Sequence, residues 1–145
     1  MRRRALVLGA PAVLAACQTN PQAARIAEMT TRGVVLTVNF DLNSYAIRPD
    51  AREVLEPLAV ALQDPALEQF RYEINGHTDS TGRLGRNMAL SDLRAAAVVD
   101  FLADRGVARS RMRPQGFGPL QPLDPANPRA GINRRVEVFA IPPTR

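Results

Sequence analysis

From residue 34 onward, the apolar positions alternate between the period of a strand and the period of a helix. In Val34-Val35-Leu36-Thr37-Val38-Asn39-Phe40, alternation puts Val34, Leu36, Val38 and Phe40 on one face of a first strand. Asp41-Leu42-Asn43-Ser44 reads as a turn. Pro49, with Asp50 and Glu53 in the first turn, opens a helix to about residue 63, where Ala51, Val54, Leu55, Leu58 and Leu62 recur at the helical spacing. Pro57 falls inside this helix, where a missing N–H costs stability or kinks the axis. Phe70, Tyr72 and Ile74 alternate with Arg71, Glu73 and Asn75 and make a second strand. A second helix covers about residues 84–104 and stops at Gly106, a residue suited to the position after a C-cap, with Leu90, Leu93, Ala97, Val98, Phe101 and Leu102 as its buried stripe. Residues 111–116 read as a short third strand, 117–131 as a proline-rich surface loop, and 134–141 as a last strand stopped by Pro142-Pro143. The order strand, helix, strand, helix, strand, loop, strand predicts an α+β domain. Its two main helices pack on one face of a small mixed four-stranded sheet.

The first seventeen residues follow a different pattern. Met1-Arg2-Arg3-Arg4 is a basic start, residues 5–13 are a short apolar run, and small residues precede Cys17, as in a secretory signal. Roughly ten apolar residues are too few to cross a hydrocarbon core of about 30 Å as a helix. Leu14-Ala15-Ala16-Cys17 resembles the bacterial lipobox, whose cysteine becomes the diacylated first residue of the mature chain. The competing reading is an incidental thiol at the end of an ordinary signal. That Cys17 is the only cysteine and falls at the expected cut favours lipidation. Gln18 follows it in place of the aspartate that marks inner-membrane retention in enteric bacteria, so the expected location is the outer membrane, with the domain facing the periplasm. The chain thus divides into a signal segment 1–16, a lipidated tether 17–32 and a domain 33–145. Arg3-Arg4 lacks the rest of a twin-arginine signal.

Composition changes the picture in two respects. All nineteen basic residues are arginine, and the three that leave with the signal bring the formal charge from +5 to +2, so the basic balance argues little for nucleic acid. One cysteine excludes an intramolecular disulfide framework, and one histidine falls short of the ligands a zinc site needs. No metal and no cofactor are expected. A Ser80–His77–Asp79 triad is ruled out by crowding, since three members within four residues cannot take up the geometry. The expected state of His77 is a ring hydrogen-bonded to backbone.

The stretch with most chemistry runs from residue 75 to residue 98. A strand ends in Asn75-Gly76-His77-Thr78-Asp79-Ser80-Thr81-Gly82, and the helix that follows carries Asn87, Ser91 and Arg94 at i, i+4 and i+7 on one face. Loop amides and the helix N-terminus both favour an anion nearby. Arg94 can grip a carboxylate with two parallel bonds, and Asp79 suits an ammonium, so together they fit an amino-acid-like group bearing both charges. The blander reading is two solvated charges or a structural salt bridge. Arg134 and Arg135 alternate on a strand, so at most one faces the site and the other is a solvated edge charge.

Asn-Gly-His-Thr-Asp-x-x-Gly at 75–82, Asn-x-x-Leu-Ser-x-x-Arg-Ala at 87–95, Gly106-Val107 with Arg111, Gly116-Phe117-Gly118 and Asn133-Arg134-Arg135-Val136-Glu137 occur in order. Together they resemble the OmpA-like peptidoglycan-binding domain family, and with the lipobox its lipid-anchored members, the peptidoglycan-associated lipoproteins. The resemblance covers about residues 34–141. It implies non-catalytic binding of the diaminopimelate stem peptide of peptidoglycan. It implies Asp79, Arg94, Asn87, Thr78 and either Arg134 or Arg135 as ligand residues, with Phe40, Asp41 and Asn43 bordering the pocket. Three positions depart from the family pattern: Arg86 stands where an aromatic is usual, Pro119 where a glutamate is usual, and Ala130 where an arginine is usual. None of these touches Asp79 or Arg94.

The expected function is therefore a tether that holds the outer membrane to the cell wall, through an acyl anchor on one side and peptidoglycan on the other. A more specific alternative is the Pal component of the Tol–Pal envelope system, in which a periplasmic Tol-system protein competes for the same face. A wall-modifying enzyme would need a metal set or an activated nucleophile that this chain does not supply. A stator-type anchor would usually carry a transmembrane helix in place of the lipobox.

Overall fold

The computed structural model describes residues 34–144 together with Pro21. Cys17 and the signal segment 1–16 lie outside the described residues, as does all of the tether except Pro21. The elements are β1 (Val34–Asn39), α1 (Pro49–Ala61), β2 (Arg71–Gly76), α2 (Leu84–Asp104), β3 (Met112–Gly116) and β4 (Arg135–Ile141), with single 3-10 turns at Pro65–Leu67, Arg109–Arg111 and Gly131–Asn133. The sheet order is β1-β4-β2-β3. β2 and β3 are parallel and joined across α2, as a parallel pair requires a crossover. β4, last in the chain, enters between β1 and β2 and runs antiparallel to both. The result is the expected mixed sheet with both helices on one face.

The core lies between that face and the helices. Val38, Phe40, Tyr72, Ile74, Val136 and Val138 meet Leu55, Leu58 and Leu62 of the first helical segment and Val98 and Leu102 of α2. Full burial of such side chains contributes about 1.5–3 kcal/mol each. Arginines then tie the elements together. Arg105 grips both carboxylate oxygens of Glu56 at 2.6 and 2.7 Å with its guanidinium 3.4 Å from the Phe101 ring centre, linking α2 to α1. Arg111 donates to the carbonyls of Leu62, Leu67 and Phe70, fastening the end of the first helix to the approach to β2.

Three faces differ from the hydrophobic pattern. In β1, a register irregularity between Val34 and Leu36 makes Val35 an extra residue that turns inward, while Val34 is exposed. A bulge of this kind shifts the alternation by one, which the sequence pattern cannot register. In α1, Val54 is exposed and the helix closes at Ala61, short of residue 63.

In α2 the stripe itself turns. Leu93 is 46% exposed and Leu90 and Ala97 are half-buried, whereas Asn87, Ser91 and Arg94 are buried in line with Ala95, Val98 and Leu102. The reason is a close approach of backbone. A Cβ at Gly76 would collide with the Ser91 carbonyl oxygen, and one at Gly116 with the side chains of Ser91 and Asp92. The two strand ends thus seat directly on the polar turns of α2. The Asp92 carboxylate accepts from Gly116 N–H at 2.8 Å and the Ser91 hydroxyl from Gly118 N–H at 2.9 Å. The polar residues are buried because the glycines let the loops come to them.

Candidate functional site

The site forms where the β1–α1 loop, the loop after β2, the N-terminal turns of α2 and the start of β4 converge. A narrow cleft, open to solvent, is lined by Leu42, Asn43, Thr78, Asp79, Thr81, Asn87, Leu90, Arg94 and Arg134.

Arg94 is fully buried. Its Nε donates to the Ser44 carbonyl at 2.8 Å, Nη1 to the His77 carbonyl at 3.0 Å and Nη2 to the Asp41 carbonyl at 2.9 Å. Its guanidinium carbon lies 5.3 Å from the Phe40 ring centre, within cation–π range. A guanidinium has five N–H groups, so one on Nη1 and one on Nη2 are left beside the cleft. No carboxylate pairs with Arg94 among the described residues. Burial, and then the neighbouring Arg134, push it down to about 10, with Asp79 opposing. It therefore remains a cation at neutral pH.

Asp79 is 4% exposed. Its Oδ1 accepts from Thr81 N–H at 2.8 Å and its Oδ2 from Arg134 Nη1 at 3.1 Å. Burial alone would raise its pKa, but the Thr81 and Arg134 hydrogen bonds outweigh that and hold the carboxyl below its usual value, so it is ionised at neutral pH. Arg134 is positioned in turn by donating from Nε to the Phe40 carbonyl at 3.0 Å. Thr78 is 3% exposed, and its hydroxyl has no hydrogen-bond partner. Asn87 donates from Nδ2 to the Thr81 carbonyl at 2.9 Å, which closes the loop over the start of α2.

The structure thus brings Asn43, Thr78, Asp79, Asn87, Arg94 and Arg134 to one cleft. Asn43 gets there through a left-handed backbone, φ 52°, that asparagine tolerates better than most residues. Phe40 lies beneath Arg94 rather than in the lining, and Asp41 serves through its carbonyl while its side chain pairs with Arg48 at 2.9 Å. Of Arg134, just before β4, and Arg135, the first residue of β4, the structure places Arg134 in the cleft. Arg135 points to the other side of the strand, but it is buried there, not a solvated edge charge. It bonds Glu137 Oε1 at 2.7 Å and the Gln121 carbonyl at 3.0 Å. Thr81, Leu42 and Leu90 also line the cleft without having been singled out. The hydroxyl-rich loop signalled Thr81, and nothing in the pattern signalled the two leucines.

His77 differs from expectation. Its ring is 1% exposed, stacks on Phe117 at 5.5 Å, and has no hydrogen-bond partner, with Nε2 3.5 Å from a Glu137 oxygen. Its backbone forms the polar contacts, N–H to the Arg135 carbonyl and carbonyl to Arg94. Burial, then Arg135, lower its pKa to about 4 against the opposing pull of Glu137. No group of three metal-ligating side chains occurs among the described residues, and none of their helices is long and apolar enough to cross a membrane.

The chain has relatives of known name, and its order of elements a counterpart among solved structures. A peptidoglycan-associated lipoprotein of Brucella melitensis is 44% identical over 84 residues, 58% of this chain and 49% of the relative. The outer-membrane lipoprotein YfiB of Pseudomonas aeruginosa is 33% identical over 92% of this chain and 87% of its own length. The crystal structure of the peptidoglycan-associated lipoprotein from Burkholderia pseudomallei superposes with a TM-score of 0.65 at 29% identity, covering 72% of this chain and 89% of that one. The chain spans about half the length of the Brucella relative and most of the Pseudomonas one. These names agree with the outer-membrane location read from the lipobox. The OmpA family model matches residues 39–135, from the end of β1 to the start of β4 and across every residue that lines the cleft, and the chain belongs to the OmpA family.

Proposed function

We propose that this domain binds peptidoglycan without cutting it, by taking the side-chain end of diaminopimelate in the stem peptide, and that acylated Cys17 holds it to the outer membrane. One observation carries the reading: Arg94 is a buried cation with two N–H groups left over and no carboxylate of its own, beside a cleft that holds an ionised Asp79. A buried charge calls for a partner. A ligand carboxylate would supply one to Arg94, with the orphan Thr78 hydroxyl as a further donor, while an ammonium would meet Asp79. The names of the relatives support the wall as the source of that group.

The test is sedimentation with purified wall sacculi. Asp79→Ala should bind tens- to thousands-fold more weakly, the loss of about 2–5 kcal/mol typical of one partner of a buried charge contact, with a melting curve close to wild type. Muropeptides bearing lysine in place of diaminopimelate lack the carboxylate and should bind about tenfold more weakly, since Arg94 is then desolvated without a partner. Unchanged sedimentation, or equal affinity for both muropeptides, would refute the assignment.

A second reading concerns a protein partner. Leu42, in the cleft lining, and Tyr45, next to the Ser44 whose carbonyl Arg94 holds, are large, apolar and exposed. Apolar exposure of this kind marks interaction surfaces, and a periplasmic Tol-system protein competing for the same face would fit it. Displacement of the domain from sacculi by that protein would distinguish the Pal role from a simple tether.

A further inference from the structure

The charge around the cleft exceeds what a single zwitterionic group needs. Arg94 and Arg134 line it with Asp79 as the one carboxylate in the lining, and Asp41 beside it is already held by Arg48. Three more arginines, Arg83, Arg86 and Arg129, are exposed and form no ion pair among the described residues. Their places in the fold put them on one rim. Arg83 is the N-cap of α2, and its carbonyl accepts from the Asn87 N–H at 3.0 Å, so it sits one turn before a lining residue. Arg86 stands four residues before Leu90, another lining residue, and residues at that spacing are neighbours on a helix face. Arg129 follows Pro128, whose carbonyl accepts from the Ser80 N–H at 2.9 Å, next to Asp79. It also precedes Gly131, which lies against the Arg134 guanidinium. The first turn of α2 has no acidic residue and no side-chain cap, so nothing in that turn offsets this charge. The unpartnered Thr78 hydroxyl, buried in the lining, is an independent sign that the cleft receives a polar ligand.

We propose that the ligand carries a second carboxylate beyond the group held in the cleft, and that Arg86, with Arg83 and Arg129, reads it and so selects stem peptides whose carboxylates are free. The proposal rests on the peptidoglycan reading above. Two carboxylates are available in such a fragment, the chain-terminal one and that of the glutamyl residue. Exposed charge contacts are individually weak, and the three together should account for about a tenfold difference in affinity.

The experiment is calorimetry at two salt concentrations with soluble diaminopimelate muropeptides. These are used fully acidic, amidated at the terminal carboxylate alone, or amidated at the glutamyl carboxylate alone. Wild-type domain should lose about tenfold on one of the two amidations, which identifies the carboxylate. The variant with Arg83→Gln, Arg86→Gln and Arg129→Gln should bind the acidic fragment about tenfold more weakly, with a shallower salt dependence, and should be indifferent to that same amidation. Wild-type affinity in the variant, or an equal loss for all three fragments, which is the mark of long-range attraction alone, would overturn the inference. Failure of wild type to bind any fragment would overturn the peptidoglycan reading and this inference with it. The substituted positions are exposed, and a melting curve confirms that the variant is folded.

Discussion

Three of the five N–H groups of Arg94 are held by the carbonyls of Asp41, Ser44 and His77, so this side chain organises two loops before any ligand arrives. The motif alone leads one to expect that Arg94→Ala would leave the domain folded. The contacts say otherwise. Arg94→Lys keeps the charge, but one ammonium on a flexible stem cannot span three carbonyls in a plane, and urea denaturation should show a loss of about 3 kcal/mol. Asp79→Ala, whose partner Arg134 is partly exposed, is the cleaner probe of binding. His77 gives a second prediction at this scale. Its folded pKa of about 4 lies below the ordinary 6.5, so between those values the unfolded chain binds a proton that the folded chain refuses. Its contribution is complete above about pH 6.5 and is lost progressively as the pH falls towards 4, by on the order of 3 kcal/mol. His77→Phe, which keeps a ring against Phe117, should flatten the stability profile in that window. An unchanged slope would mean that other groups set the acid limb.

Among the elements, α2 matters most, because it meets the sheet through backbone rather than side chains. A methyl group at Gly76 would strike the Ser91 carbonyl oxygen, an atom that cannot rotate away. Gly76→Ala should therefore lift the end of β2 off α2, lower the melting temperature by several degrees at a cost of about 1–3 kcal/mol, and weaken sacculus binding together with stability. Gly82→Ala is the control, since its Cβ would meet nothing. Even there the left-handed φ of 90° makes the substitution strained, so its effect should be on stability and small on binding. The limits of α2 were legible in the sequence, because leucine spacing and Gly106 mark them. The face that it buries was not. Leu93 has the stronger hydrophobic claim, yet Ser91 and Arg94 are inside, since burial here follows the close approach of Gly76 and Gly116.

For the molecule as a whole, the proposed wall-binding domain becomes a tether only if its other end is anchored. The resemblance of Leu14-Ala15-Ala16-Cys17 to a lipobox makes Cys17 the candidate anchor, and Cys17→Ser should move the protein from the membrane fraction to the soluble periplasm or stall it as precursor. A substituted protein that is processed and still sediments with membranes would refute the anchor. More than one acyl chain is needed for stable attachment, since a single chain binds only marginally. Removing the domain's grip with Asp79→Ala and its anchor with Cys17→Ser should give separable defects, loss from sacculi in one case and loss from membranes in the other.

Local signals were enough to set the order of strands and helices, the α+β class and the loop that carries Asp79, because hydrophobic period, proline and glycine act over a few residues. They were enough as well to bring Asp79, Arg94 and Asn87 forward as a set, since the chemical types and helical spacing are written in the chain. The sequence left open which of Arg134 and Arg135 enters the cleft, and β4 decides it by pairing with β1 and β2 in a fixed register. That Asp79 pairs with Arg134 rather than with Arg94, and that Arg94 is held by carbonyls 50 and 53 residues away, came only from tertiary structure. Side-chain periodicity reports which face is apolar, whereas a buried charge is placed by the carbonyls and glycines that the fold brings to it from distant parts of the chain.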